Sequence, residues 1–127
     1  MLKQITILCV DDEANTLILR QMLLSIAGYT VLTATDPDDA ITLFRCNCVD
    51  LVITDQLLLG TTGTELAAQM KLFKPQVPIV LLTGLIDPPS EGGPIDLVLI
   101  KGMNPVDFLA AIAQLAARAR SARVGTC

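Results

Sequence analysis

The stretch Val49-Asp50-Leu51-Val52-Ile53-Thr54-Asp55 decides the fold. It is a short run of apolar, β-prone residues that stops at a carboxylate. Such a run reads as a strand buried on both faces, of the kind found in the middle of a parallel sheet. An aspartate at its C-terminal end stands at the rim where open α/β sheets bind ligands. One strand ending in Asp means little alone, because Asp also starts turns and caps helices. Three further apolar runs share the design: one ends in Asp11 and Asp12, one in Thr83 and one in Lys101.

Working outward, Ile5–Val10 is the first strand, followed by Asp11-Asp12-Glu13 and a helix over about residues 14–27. Ile18, Met22 and Ile26, with Leu19 and Leu23, recur at spacings of three and four, which predicts that they form its buried face. Gly28 stops that helix. Residues 29–34 are the second strand, and Asp36-Pro37-Asp38-Asp39 opens a second helix that runs to about Arg45. After Asp55, residues 56–63 read as a loop and 64–73 as a helix with Leu66, Met70 and Phe73 on one face. Residues 78–82 are a fourth strand delivering Thr83. Residues 87–94 hold three prolines and two glycines, so no stable long helix fits there. Residues 95–100 are a fifth strand. Asn104-Pro105 opens the last helix, with Phe108, Ile112 and Leu115 inward and Arg118, Arg120 and Arg123 at a solvated C-terminal end. Strands alternating with helices in this way predict a parallel sheet covered on both faces, as a single domain over residues 1–127.

Bulk properties narrow the function. The 127 residues are 52% hydrophobic and 17% charged, which excludes disorder. A net charge of −4 and 3% aromatics argue against a direct nucleic-acid partner. No apolar run reaches the roughly 18 residues of a membrane span. No signal peptide precedes the first strand, so a cytoplasmic location is expected. The four cysteines include Cys46 and Cys48 as C-x-C. Without histidine or C-x-x-C spacing, neither a structural zinc site nor a disulfide is expected.

Three carboxylates at neighbouring strand ends repel one another, and a hard divalent cation relieves that crowding. Mg²⁺ suits a site of few carboxylates, several waters and a phosphate. A carboxylate can also attack phosphorus to give an acyl phosphate. An ammonium and a hydroxyl across from the metal then stabilise charge on the transferred group. Asp11, Asp12, Asp55, Thr83 and Lys101 supply these parts.

Those residues, in that order at those strand ends, resemble the receiver domain of two-component response regulators, the bacterial chemotaxis-regulator-like family. The family pattern has an acidic pair after strand one (Asp11, Asp12) and a phosphoacceptor after strand three (Asp55). A glycine follows eight residues later (Gly63), then a Thr or Ser after strand four (Thr83) and a lysine after strand five (Lys101). The resemblance implies a flavodoxin-like, doubly wound five-stranded parallel sheet of order 2-1-3-4-5. It implies Mg²⁺ held directly by Asp12, Asp55 and the backbone carbonyl of Leu57, with Asp11 acting through water. Thr83 and Lys101 would contact the phosphoryl group. The implied partners are a histidine kinase or phosphotransfer protein and an output partner of unknown identity, with a homodimer allowed. No reaction is implied beyond the domain's own phosphorylation and slow dephosphorylation.

The chain departs from the pattern in four places. Leu58-Leu59 replaces a usual Met-Pro, and Gly102 replaces a proline that is usually cis. Val98 stands where a switch aromatic is usual. Thr83 to Lys101 is a short span, which predicts a short or missing fourth helix. The alternative reading is therefore a degenerate receiver, an interaction module that no longer depends on phosphorylation.

Overall fold

The computed structural model describes residues 4–84 and 92–122, the last three as backbone. β1 (Thr6–Val10), β2 (Thr30–Ala34), β3 (Leu51–Asp55), β6 (Ile79–Thr83) and β7 (Leu97–Ile100) form one parallel sheet of order β2-β1-β3-β6-β7. This is the flavodoxin-like order expected. β3 and β6 are buried along their whole length, as their unbroken apolar runs require of central strands. The helices α1 (Ala14–Ile26), α2 (Pro37–Cys46), α3 (Gly63–Phe73) and α4 (Pro105–Ala122) cover the two faces.

Alternation along the strands divides the core in two. Ile7, Cys9, Ile53 and Val80 face α1 and α4, where they meet Leu17, Leu24, Phe108 and Ile112. Leu8, Val10, Val52 and Leu81 face α2 and α3, where they meet Phe44, Leu66 and Met70. The helix starts follow the local sequence. Asp36 caps α2 by accepting from Asp39 N–H at 2.9 Å, with Pro37 in the first turn. Its side-chain hydrogen bond to Asp39, and then its charge, push the Asp39 carboxyl above the ordinary aspartate range. Asn104 Oδ1 accepts from Val106 N–H at 2.7 Å at the start of α4.

Two expected faces are corrected. Ile18, Leu19, Met22 and Ile26 of α1 are 53–84% exposed; the helix buries Leu17 and Leu24 instead. Apolar residues wrap most of this helix, so spacing alone could not select its inner face. Phe73 is likewise exposed, and its ring stacks under the Arg45 guanidinium, 4.5 Å from the centroid.

Residues 56–63 are more ordered than a loop. β4 (Leu57–Leu58) and β5 (Thr61–Thr62) pair antiparallel as a short hairpin ahead of α3. Between β6 and β7 the described residues form a turn closed by the Gly92–Ile95 bridge, and β7 is shorter than the expected 95–100 strand. Residues 85–91, where a short or missing fourth helix is expected, lie outside the described residues, as does Arg123 and the side chain of Arg120. The four helices above are those of the described residues. Cys9 and Cys46 are free thiols, but Cys48 is disulfide-bonded, against the expectation of none. The C-x-C spacing speaks only to local pairing. Among the described residues no helix is long and apolar enough to cross a membrane.

Candidate functional site: an acidic pocket at the carboxyl ends of the strands

The sheet register assembles the site. Val10 pairs with Thr54, Asp55 with Leu82, and Thr83 with Ile100. One step past these pairs, Asp11, Asp55, Thr83 and Lys101 converge on one rim. A carboxylate oxygen from each of Asp11, Asp12 and Asp55 lies within 4.8 Å of the others. Asp11 and Asp55 are buried and Asp12 is exposed, so the cluster opens to solvent on one side.

Asp11 and Asp55 are each held in place. Asp11 Oδ1 accepts from Glu13 N–H at 3.0 Å, and Asp11 N–H donates to Ala34 O of the neighbouring strand end. Lys101 Nζ donates to Asp55 Oδ2 at 2.8 Å and stands 3.9 Å from Asp11 Oδ2. Lys101 N–H donates to Thr83 O at 2.8 Å, which ties the end of β7 to the end of β6. Thr83 itself is buried.

The turn after Lys101 shows how the chain manages without proline. No peptide is cis among the described residues, and Gly102 adopts φ +86°. Glycine reaches that left-handed region at no steric cost. The loop is thus rearranged.

The loop after Asp55 is pinned by Gln56. Gln56 N–H donates to Leu82 O, and its side-chain Oε1 accepts from both Thr64 N–H and Thr64 Oγ1 at 3.1 and 3.0 Å. Thr62 caps α3 by accepting from Glu65 N–H. Gly63 is required by space. A Cβ there would collide with Asp55 O and stand 2.7 Å from Leu81 Cδ1. Leu57, whose backbone carbonyl the resemblance enlists, opens the hairpin with its side chain exposed.

Besides the role of Gln56, sequence reasoning missed one further residue here. Arg20, on the buried stripe of α1 between Leu17 and Leu24, points Nη1 at Asp11 Oδ2 across 3.5 Å. A charged residue three after one inward leucine and four before the next would have flagged it, had the inner face been assigned correctly.

A flavodoxin-like parallel sheet with an acidic pocket at its carboxyl rim, faced by a lysine, defines a class of doubly wound α/β modules. The family model for the response regulator receiver domain matches residues 7–92, and the chain belongs to that family. It is similar to the signal receiver domain of an HD domain-containing protein from Pseudomonas fluorescens Pf-5. Identity is 31% and the TM-score 0.85, over 94% of this chain and 99% of that one. It is also similar to response regulator protein TrrA from Thermotoga maritima, solved in complex with Mg(2+)-BeF. There identity is 30% and the TM-score 0.82, over 88% and 99% of the two chains. Among curated proteins, the autoinducer 1 sensor kinase/phosphatase LuxN of Vibrio campbellii is 35% identical over 79 residues, or 62% of this chain and 9% of that protein. The chain spans between 9% and 52% of the length of such relatives.

Proposed function

We propose that this chain is the phosphoacceptor of a two-component system and that Asp55 receives the phosphoryl group. The donor is a phosphohistidine on a histidine kinase or phosphotransfer protein. An Asp55 carboxylate oxygen attacks phosphorus, the phosphorus–nitrogen bond breaks, and its electron pair stays on the departing imidazole. The product is an acyl phosphate on Asp55. The single observation carrying this reading is the contact of Lys101 Nζ with Asp55 Oδ2 at 2.8 Å, inside a cluster of three carboxylates.

The donor set suits a hard cation. Asp11 Oδ2 is buried without a hydrogen-bond partner, and Asp12 of the same cluster is exposed. Asp12 and Asp55, with the Leu57 carbonyl, would hold Mg²⁺, and Asp11 would support it from behind. When bound, the metal neutralises charge shared by the carboxylates and the incoming phosphoryl group. Lys101 passes from the Asp55 carboxylate to a phosphoryl oxygen with little movement. The Thr83 hydroxyl stabilises another equatorial oxygen. The TrrA complex with Mg(2+)-BeF supports the metal assignment by likeness. We propose no reaction beyond the domain's own phosphorylation and its slow reversal. The output is a change in binding to a protein partner.

Incubation with acetyl phosphate and Mg²⁺, read by intact mass, tests the reading. One phosphoryl group should appear on the wild type and none on Asp55→Asn, which keeps nearly the same shape. Labelling of Asp55→Asn at another residue would sink the assignment. A wild type that takes no label in either the presence or absence of Mg²⁺ would leave a phosphorylation-independent interaction module.

A further inference from the structure

Arg20 is a buried cation that the proposed chemistry does not use. Its side chain is 10% exposed and that of Asp11 is 2% exposed, and they face each other across 3.5 Å. Neither Arg20 Nη1 nor Asp11 Oδ2 has a hydrogen-bond partner. A buried guanidinium with an unused donor is costly unless a charge compensates it. Here the compensating charge belongs to the acidic pocket. The stem of Arg20 lines a groove of about 410 Å³ between α1 and the turn before α4, walled by Leu19, Leu23, Leu82, Met103 and Phe108. The apolar walls limit the screening of the pair by water. The positive field of Arg20 also reaches Cys9 on β1, whose thiol it pulls down against the larger upward effect of burial.

Charge counting shows what the residue does. Asp11, Asp12 and Asp55 contribute −3, and Lys101 restores +1, leaving −2. Arg20 brings the pocket to −1. We propose that Arg20 is a resident counter-cation that pairs with the buried Oδ2 of Asp11 in the metal-free state and so lowers the affinity of the pocket for a divalent cation. The inference rests on the metal site proposed above. Arg20 acts through Asp11, so it is a positioning residue. By this device the metal-free pocket is tolerable without Mg²⁺, and the metal must outcompete a side chain already in place.

Calorimetric titration of the full chain with Mg²⁺ tests it. Arg20→Met keeps an unbranched, apolar side chain in the groove and removes the charge. Its Mg²⁺ Kd should fall about tenfold, the size of effect expected from one nearby unit charge in a partly screened site. The thermal shift produced by a fixed Mg²⁺ concentration should grow accordingly. Arg20→Lys should keep the wild-type Kd within about twofold, because it keeps the charge. In an Asp11→Asn background, Arg20→Met should lower the Kd by clearly less than it does with Asp11 present, since the coupled partner is gone. A Kd for Arg20→Met equal to or weaker than that of the wild type overturns the proposal. So does a fall in Kd that Arg20→Lys reproduces, since size and not charge would then set affinity. Failure of every protein, wild type included, to bind Mg²⁺ would overturn the metal site along with it. Binding by the wild type with an unchanged Kd in Arg20→Met overturns the Arg20 claim alone.

Discussion

Aspartates at opposite ends of the same strand do unrelated work here. Asp50 immediately precedes β3 and is buried, and its Oδ2 accepts from Thr6 N–H at 2.8 Å, locking the starts of β1 and β3 together. Asp96 repeats the device ahead of β7, accepting from Ile79 N–H at 2.8 Å and from Lys71 Nζ. Asp55 ends β3 and faces the pocket. Gly63 sets how close the next helix comes to it. Gly63→Ala should cost about 1–3 kcal/mol in thermal unfolding, because the new Cβ must push Asp55 O or Leu81 aside. It should also slow phosphodonor labelling at Asp55, and an unchanged rate together with an unchanged Tm would contradict the close fit. Cys9 offers a test in alkali. Burial pushes its thiol from an ordinary value of 9.0 up to about 12. The folded state holds that proton after the unfolded chain has released it. Stability from this source is therefore full below pH 9 and is lost as pH rises toward 12. The stability advantage of wild type over Cys9→Ala, measured by urea unfolding, should narrow across that window; a constant gap would argue that Cys9 titrates normally. Of the pocket, Asp11, Asp12, Asp55, Thr83 and Lys101 were legible because each closes an apolar run. Arg20 and Gln56 were not, since their roles depend on which way a helix and a loop turn.

The helices show where pattern reading stops. In α2 and α4 the expected starts are present, because capping residues act within one turn of the chain. In α1 the apolar residues run nearly all round, and only the tertiary contacts choose Leu17 and Leu24. The consequence can be measured. Leu24→Ala should destabilise by about 2–5 kcal/mol in urea unfolding, as for other fully buried leucines. Ile26→Ser, at 84% exposure, should change stability by only about 0.5 kcal/mol. Equal losses would mean that Ile26 is covered in solution. The β4–β5 hairpin was unreadable for a different reason: two residues per strand carry no period to detect. Its first residue, Leu57, tests the path of water to the phosphorylated site. By resemblance to the family, this position and Leu85 flank that path. Leu57→Glu should speed first-order loss of the phosphoryl group about tenfold, by orienting an attacking water. Identical decay curves would place control of the lifetime elsewhere.

At the scale of the whole molecule, strand order was legible only through the resemblance. Alternating strands and helices imply a parallel sheet, but several orders satisfy that rule, and the pocket residues select the one observed. The order has a consequence for how the chain reaches its native state. β1 lies in the interior with β2 on one side and β3 on the other, so the first half of the chain can assemble three paired strands without help from the second. β3 then has a bare edge. Its five buried residues wait for β6, which arrives only after α3 and the turn at Lys74. Until then the nascent chain exposes a flat apolar strand with unpaired amides, a template for another copy in the same state. Refolding yield should therefore fall with protein concentration more steeply than for a helical bundle of similar size. A fragment ending at Gln76 should scatter light where the full chain stays clear. A clear, monomeric fragment with native-like circular dichroism would mean that the edge of β3 is sheltered before its partner strand exists.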